Sequence, residues 1–360
     1  MEGKHPVCEI RSADIMTIPP LLFQSETHAW SLIAGLPCAA RAVRNLDASG
    51  AIGAGGSVKL LAPGGWENCS DLQDEIRRLA PGITASLEAY SEREHSEVLD
   101  ALGIAGGDIS KDVRPAGAIL ERTPRSHRAA IASASRRVIA ATGKPEDGVV
   151  SRWINRPISR AFSYFALKAP GIRPIHGTFA AATLGLAMAV CLFAGGENGL
   201  IAGAILFQLA SIVDGVDGEI ARATFRTSKT GATLDTATDA TTNFAFIAGV
   251  SANLLQRGDE TAAWAGFGGL ALLATGLAII GTLSMRGGGA LSFDMLKNQA
   301  KASPSRVMQI LAKITSRDVY ALALALLIIA GLAVPALIGF AIAIAVWFVS
   351  ALILLARRAV

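Results

Sequence analysis

Cysteine is scarce. Only Cys8, Cys38, Cys69 and Cys191 occur in 360 residues, with no CxxC pair and no clustered histidine partners. That leaves no disulfide framework and no thiolate–imidazole metal site, and the four are expected as free thiols. No repeat of fixed period and no low-complexity tract is found, which sets aside repeat architectures. The first residues lack a basic stretch followed by an apolar core, so no cleavable signal is expected. Charge is also thin, at 17% of residues with a net +4, and no nucleic-acid partner is expected.

What is abundant is apolar surface. A hydrophobic fraction of 51% and a mean hydropathy of +0.44 exceed what an ordinary soluble protein carries. The excess is uneven: residues 1–150 mix charged, Gly and Pro residues with short apolar runs, whereas 178–356 hold long apolar segments. Six of these, near 178–194, 199–214, 232–255, 262–284, 318–333 and 335–356, approach the ~20 residues that a bilayer span needs, and Asp214 closes the second. Their connections alternate in charge. GGENG (195–199) and QRGDE (256–260) share one side. Arg222, Arg226, Lys229, Arg286, Lys297, Lys301, Arg306, Lys313, Arg317, Arg357 and Arg358 share the other. The positive-inside rule makes the basic side cytoplasmic, with both termini there and a bacterial-type inner membrane as the expected location.

Before the first span, residues 149–168 interleave Val149, Trp153, Ile154, Ile158, Phe162 and Phe165 with Arg152, Arg156 and Arg160. Basic residues beside large apolar ones in a rough helical rhythm predict an amphipathic helix lying in the membrane interface, kinked or restarted at Pro157. A soluble linker helix packed on the N-terminal domain is the alternative.

Between the second and third apolar segments the chain reads DGVDGEIARATFRTSKTGATLDTATD (214–239). Ionisable residues at membrane helix ends are costly and mark function by default. On helices Asp214 and Asp217 are three residues apart and Asp235 and Asp239 four, so each pair shares a face. Two such faces together make a cage of hard oxygen ligands suited to Mg²⁺ or Mn²⁺. Against this stands a solvated acidic loop capping two helices.

The spacing D-x2-D-G-x2-A-R-x8-G-x3-D-x3-D is complete, through Asp214, Asp217, Gly218, Ala221, Arg222, Gly231, Asp235 and Asp239. It resembles the signature of the CDP-alcohol phosphotransferase family. The resemblance implies a two-metal site on Asp214, Asp217, Asp235 and Asp239, with Asp239 as general base. It also implies a CDP site on Asp214, Gly218, Ala221, Arg222 and Gly231, and an amphipathic helix before the first span. Pro174 and Thr178 match the family's P-x3-T nucleotide element, although Ile175 stands where Asn is often found. Thr178 reads equally as a helix N-cap. For the acceptor, Arg173 and Arg286 fall on the basic side, as does His176, a lone histidine better read as structural. The long basic loop 285–317 reads either as a substrate lid or as a surface helix.

Residues 1–125 look like a small Rossmann-like α/β unit, with strands at Val58–Leu61 and Ala118–Leu120 and helices at Ala39–Asp47, Ser70–Leu79 and Ser91–Leu102. The segment LIAGLPCAARAVRNLDASGA (32–51) resembles part of nucleotidyltransferase-like domains, as in bifunctional fusion enzymes of inositol-phosphate synthesis. The Gly-rich phosphate loop of such domains has no counterpart upstream of Gly35. The unit is therefore expected to be degenerate and without catalysis.

The expectation is thus a polytopic α-helical membrane protein of six transmembrane helices. Its organisation is a degenerate cytosolic domain (1–125), a linker helix and hinge (126–148), an interfacial helix (149–173) and the membrane domain (174–360). The implied reaction moves a substituted phosphate group from a CDP-alcohol to an acceptor alcohol, at least one of them a lipid, in a homodimer. A polyol-phosphate acceptor of inositol type ranks first and glycerophospholipid head-group synthesis second. An ion-coupled transporter is the rival of another class. It would place acids near mid-bilayer or break its helices, and clustering of the acids beside Arg222 argues against it.

Overall fold

A computed structural model describes residues 21–90, 124–286 and 317–356, apart from positions 24, 53–54, 64–65, 68 and 145–146. The chain divides into two compact units, Met1–Ala141 with Leu167–Gly171, and Thr142–Ala166 with Ile172–Val360.

In the first unit, β1 (Leu21–Leu22), α1 (Glu26–Trp30), a hairpin of β2 (Leu32–Ile33) and β3 (Leu36–Pro37), and α2 (Cys38–Ala48) come first. Then follow β4 (Ser57–Pro63), α3 (Cys69–Leu79), β5 (Thr84–Tyr90) and α4 (Pro124–Ala140). Strands β1, β4 and β5 form one parallel sheet in that order. Leu60, Val58, Leu72, Ile76, Val43 and Ile33 build its core. Ala34 and Gly35 turn the hairpin with φ of 48° and 80°, a left-handed geometry that costs Ala and suits Gly. Buried Arg41 secures that turn, donating from Nε to Ile33 O and from Nη2 to Ala34 O. Burial draws the Arg41 guanidinium down to about 10, so it remains charged at neutral pH.

The expected strand at Val58–Leu61 falls within β4, and the expected helices 39–47 and 70–79 match α2 and α3. Strand β5 was not anticipated. Ser91–Leu102, Ala118–Leu120 and Cys8 lie outside the described residues.

The second unit opens with a wide π-helical turn, Ser151–Asn155, running into α5 (Arg156–Ala166). The helical run is continuous from Val149 through this turn into α5, and the widened turn lies where the ring of Pro157 would otherwise crowd the carbonyl of Trp153, four residues earlier. Among the described residues six helices follow: α6 (Pro174–Ala194), α7 (Gly196–Ala223), α8 (Lys229–Gln256), α9 (Glu260–Arg286), α10 (Arg317–Ile329) and α11 (Ala333–Ala356). Four of them are long and apolar enough to cross a membrane, over Pro174–Ala194, Gly196–Ala223, Glu260–Ile279 and Ala333–Ile353. Helix α8 has the length, but its first half reads KTGATLDTATDATTN. Helix α10 is apolar but short, at Val319–Ile329.

One boundary differs from the sequence reading. Asp214 ends the apolar run but not the helix, since α7 continues to Ala223. Its backbone hydrogen bonds do not depend on the change from apolar to polar side chains. The helices pack through small residues: Leu192 fills the space left by the missing side chains of Gly203 and Gly249. Phe207 stacks on Phe246, ring centroids 3.8 Å apart.

Candidate active site

Helix α7 carries Asp214, Asp217, Gly218, Ala221 and Arg222, and α8 carries Gly231, Asp235 and Asp239. The turn between them is tight. Arg226 N–H returns to Ala221 O at 2.8 Å, and Phe225 takes a φ of 53°. Ser228 then caps α8, its Oγ accepting from Gly231 N–H at 3.0 Å. A Cβ on Gly231 would lie 3.0 Å from that same oxygen, so the glycine keeps the cap close.

Across this turn Asp214, Asp235 and Asp239 converge. Each offers a carboxylate oxygen within 4.8 Å of the other two, all half-buried. Two like charges at that distance repel by at least about 3 kcal/mol at an effective dielectric of 20. Three acids so placed need a cation or shared protons, and hard oxygen donors fit a divalent ion such as Mg²⁺ or Mn²⁺.

Asp217 lies on the same helix but is more buried, at 6% exposure, and its Oδ2 accepts a 2.6 Å hydrogen bond from Thr178 Oγ1. It stays within electrostatic reach of Asp239. Thr178 is therefore not the N-cap of α6: that helix starts at Pro174 behind Arg173. The neighbouring Gly177 explains how α6 comes so near. A Cβ there would sit 2.8 Å from Asp217 N and 2.9 Å from its Cα.

Arg222 turns back along α7. Its Nε donates to Thr142 O at 2.7 Å, while Nη2 is buried with no hydrogen-bond partner among the described residues. The guanidinium fills the space over Gly218, where a Cβ would be 3.0 Å from Nη1. His176 Nδ1 accepts from Arg173 N–H at 3.2 Å, at the start of α6. Arg286 ends α9, and residues 287–316 of the basic loop lie outside the described residues.

A second polar arrangement escaped sequence reasoning. Glu219 is fully buried and accepts from Ser159 Oγ at 2.7 Å, Ser163 Oγ at 2.6 Å and Arg156 Nη1 at 3.1 Å. Arg156 also grips both oxygens of Asp147 at 2.9 Å. Burial alone would raise Asp147, but the bonds from Arg156 and Lys144 N–H outweigh it and hold the carboxyl below its usual range. The available signal was a fifth acid, Glu219, inside the motif, preceded by serines spaced i, i+4 on α5.

Residues 174–358 match the CDP-alcohol phosphatidyltransferase family. Among curated proteins the chain is similar to the bifunctional IPC transferase and DIPP synthase of Thermococcus kodakarensis. That match is 33% identical over 165 residues, 45% of this chain and 33% of the relative. The proteins of the same description from Aquifex aeolicus and Rubrobacter xylanophilus are also similar. The first is 35% identical over 108 residues, covering 30% of this chain and 24% of the relative. The second is 39% identical over 135 residues, covering 37% and 28%. The matched stretch thus spans a third or less of each relative's length.

Proposed function

The chain belongs to the CDP-alcohol phosphatidyltransferase family, and from that premise we propose that it transfers a substituted phosphate group from a CDP-alcohol to an acceptor alcohol, releasing CMP. The observation that carries this is the convergence of Asp214, Asp235 and Asp239 within 4.8 Å inside a complete family motif.

In this reading Asp214, Asp217, Asp235 and Asp239 hold the metal site. Mg²⁺ or Mn²⁺ held by these carboxylates would supply Lewis-acid chemistry at the phosphate under attack. Asp239 takes the proton from the acceptor hydroxyl. Thr178 keeps one oxygen of Asp217 engaged, which orients the other. Arg222, with Nε committed to Thr142 and Nη2 free to donate, pairs with the pyrophosphate. Pro174, Gly218, Ala221 and Gly231 shape the CDP site, and Arg173 and Arg286 the acceptor side.

An inositol-type polyol-phosphate acceptor is favoured by the relatives' description as DIPP synthases, ahead of glycerophospholipid head-group synthesis. The N-terminal domain is proposed as a non-catalytic relative of nucleotidyltransferases. In support, β1 passes to α1 through Phe23-Gln24-Ser25, without a glycine for phosphate to approach. The domain limits 1–125, 126–148, 149–173 and 174–360 and the homodimer belong to the same proposal. So do six spans with the site and both termini cytoplasmic. The interfacial placement of 149–173 draws support from the outward apolar side chains of Val149, Trp153, Ile158, Phe162 and Phe165.

The test is CMP release by the detergent-solubilised full chain. CDP-diacylglycerol, CDP-inositol and CDP-glycerol would be offered against polyol-phosphate and glycerophosphate acceptors with Mg²⁺ or Mn²⁺. Release with none of them sinks the reaction, and release that persists in excess chelator sinks the metal site.

A further inference from the structure

Helix α7 presents two chemically distinct faces. Asp214, Asp217 and Ala221, spaced by three and four, share the side toward the proposed reaction. Gln208, Ser211, Gly215, Glu219 and Arg222, spaced by three, four, four and three, share another. Every member of this second row meets the segment 142–163. Gln208 Nε2 donates to Asn155 Oδ1 at 2.9 Å, and Asn155 Nδ2 lies 3.5 Å from Ser211 Oγ. Gly215 admits Arg156 and Ser159 closely: a Cβ there would stand 3.2 Å from Nη1 and 3.3 Å from Oγ. Glu219 takes Ser159, Ser163 and Arg156, and Arg222 reaches Thr142 O.

We propose that Glu219 is a positioning residue, whose buried carboxylate, gripped by Ser159, Ser163 and Arg156, fixes the rotation of α7 about its axis and thereby the aim of Asp214 and Asp217. The inference rests on the reading of those aspartates given above.

The physical reason lies in the kind of contact. A helix packed only through apolar side chains can turn by several degrees at small cost, because dispersion contacts are non-directional. Hydrogen bonds to a buried carboxylate are directional and costly to leave unmade. Glu219 receives three from one helix, and α5 is itself tied through Arg156 to Asp147. Glu219 is two residues from Asp217 and five from Asp214, so rotation at 219 is felt directly at both. Outer-shell groups of this kind typically change metal affinity or activity by about 10–100-fold when altered.

The test compares wild type with Glu219→Gln and with Ser163→Ala, each in the full solubilised chain. Glu219→Gln keeps the size of the side chain and forfeits the ion pair. Ser163→Ala removes one donor and leaves the carboxylate in place. Free Mn²⁺ is titrated by electron paramagnetic resonance to give metal affinity without any turnover. Then kcat and KM for the CDP-alcohol are measured, with thermal unfolding alongside. Glu219→Gln is expected to weaken Mn²⁺ binding and lower kcat by about tenfold or more, with KM moving less than threefold, and Ser163→Ala to shift both in the same direction by less. A variant that unfolds early yet retains wild-type Mn²⁺ affinity and kcat overturns the proposal, since the carboxylate would then be structural only. Should Glu219→Gln not fold, Ser163→Ala decides alone. Wild-type chain that binds Mn²⁺ but releases no CMP would refute the reaction and leave the Mn²⁺ comparison to judge the positioning role.

Discussion

Replacing Gly177 by alanine is the sharpest single test of how α6 serves the site. The added Cβ would stand 2.8 Å from Asp217 N and 2.9 Å from Asp217 Cα and Cβ. Carbon atoms settle at about 3.5 Å or more, so the two helices must part by roughly 0.6 Å. Because the obstacle includes backbone, no rotamer change relieves it. Overpacking of this kind costs about 1–3 kcal/mol of stability. The adjoining residue is Thr178, whose 2.6 Å bond holds Asp217, so the parting stretches that bond too. A 1 Å misplacement costs about 10²-fold in rate, and a shift of roughly 0.6 Å therefore lowers kcat on the order of tenfold. Two alanine controls calibrate the result. At Gly185 the new Cβ meets Thr242 Oγ1 at 2.9 Å, a side chain on another part of α8, and at Gly268 it meets nothing within 4 Å. CMP release per folded molecule and thermal unfolding in detergent would be compared across the three. Wild-type kcat in folded Gly177→Ala, or equal losses in both controls, refutes the argument.

Asp239→Asn preserves shape but removes the proton acceptor, so turnover should fall by about 10²–10⁴-fold while binding of a labelled CDP-alcohol changes little; a variant with full activity would assign the base elsewhere. The Asp147–Arg156 pair predicts a pH signature of stability. Asp147 titrates below its ordinary value of about 3.9, so its contribution is fully present above that pH and is lost as pH falls through the lower folded value. The difference in unfolding temperature between wild type and Asp147→Asn should accordingly close on acidification below about pH 4. A gap that stays constant would show that the pair contributes nothing through charge.

The aspartate pairs were legible in the sequence because helical spacing is a local property. Once DGVDG and LDTATD are helical, their shared faces follow without knowledge of any partner. Contacts that depend on how helices cross were not legible. Thr178 and Asp217 are 39 residues apart, and only the close approach at Gly177 makes them neighbours. Glu219 was hidden differently, at a position that the family spacing leaves open, with serines 56 and 60 residues earlier as partners. In the N-terminal unit, β4 announced itself through Val58, Leu60 and Leu61. Strand β5, reading TASLEAY, has little intrinsic preference for extended structure and owes its form to parallel pairing with β4. Hydropathy placed the end of the second apolar segment at Asp214 because it registers side-chain polarity, whereas the helical backbone continues to Ala223.

The divided character of α8 has a consequence for depth. Beyond Asn243 its apolar stretch runs from Phe244 to Leu255, about 18 Å at 1.5 Å per residue, against a hydrocarbon core about 30 Å thick. If α8 crosses the bilayer as proposed, some 12 Å of that thickness is met by threonines and aspartates that lipid tails cannot solvate. Water must follow the polar half of the helix downward, so the aspartates would lie at the floor of a wet vestibule opening on one leaflet. A nucleotide could then enter from solution while a lipid chain approached sideways, and neither would have to leave its own phase to meet the other.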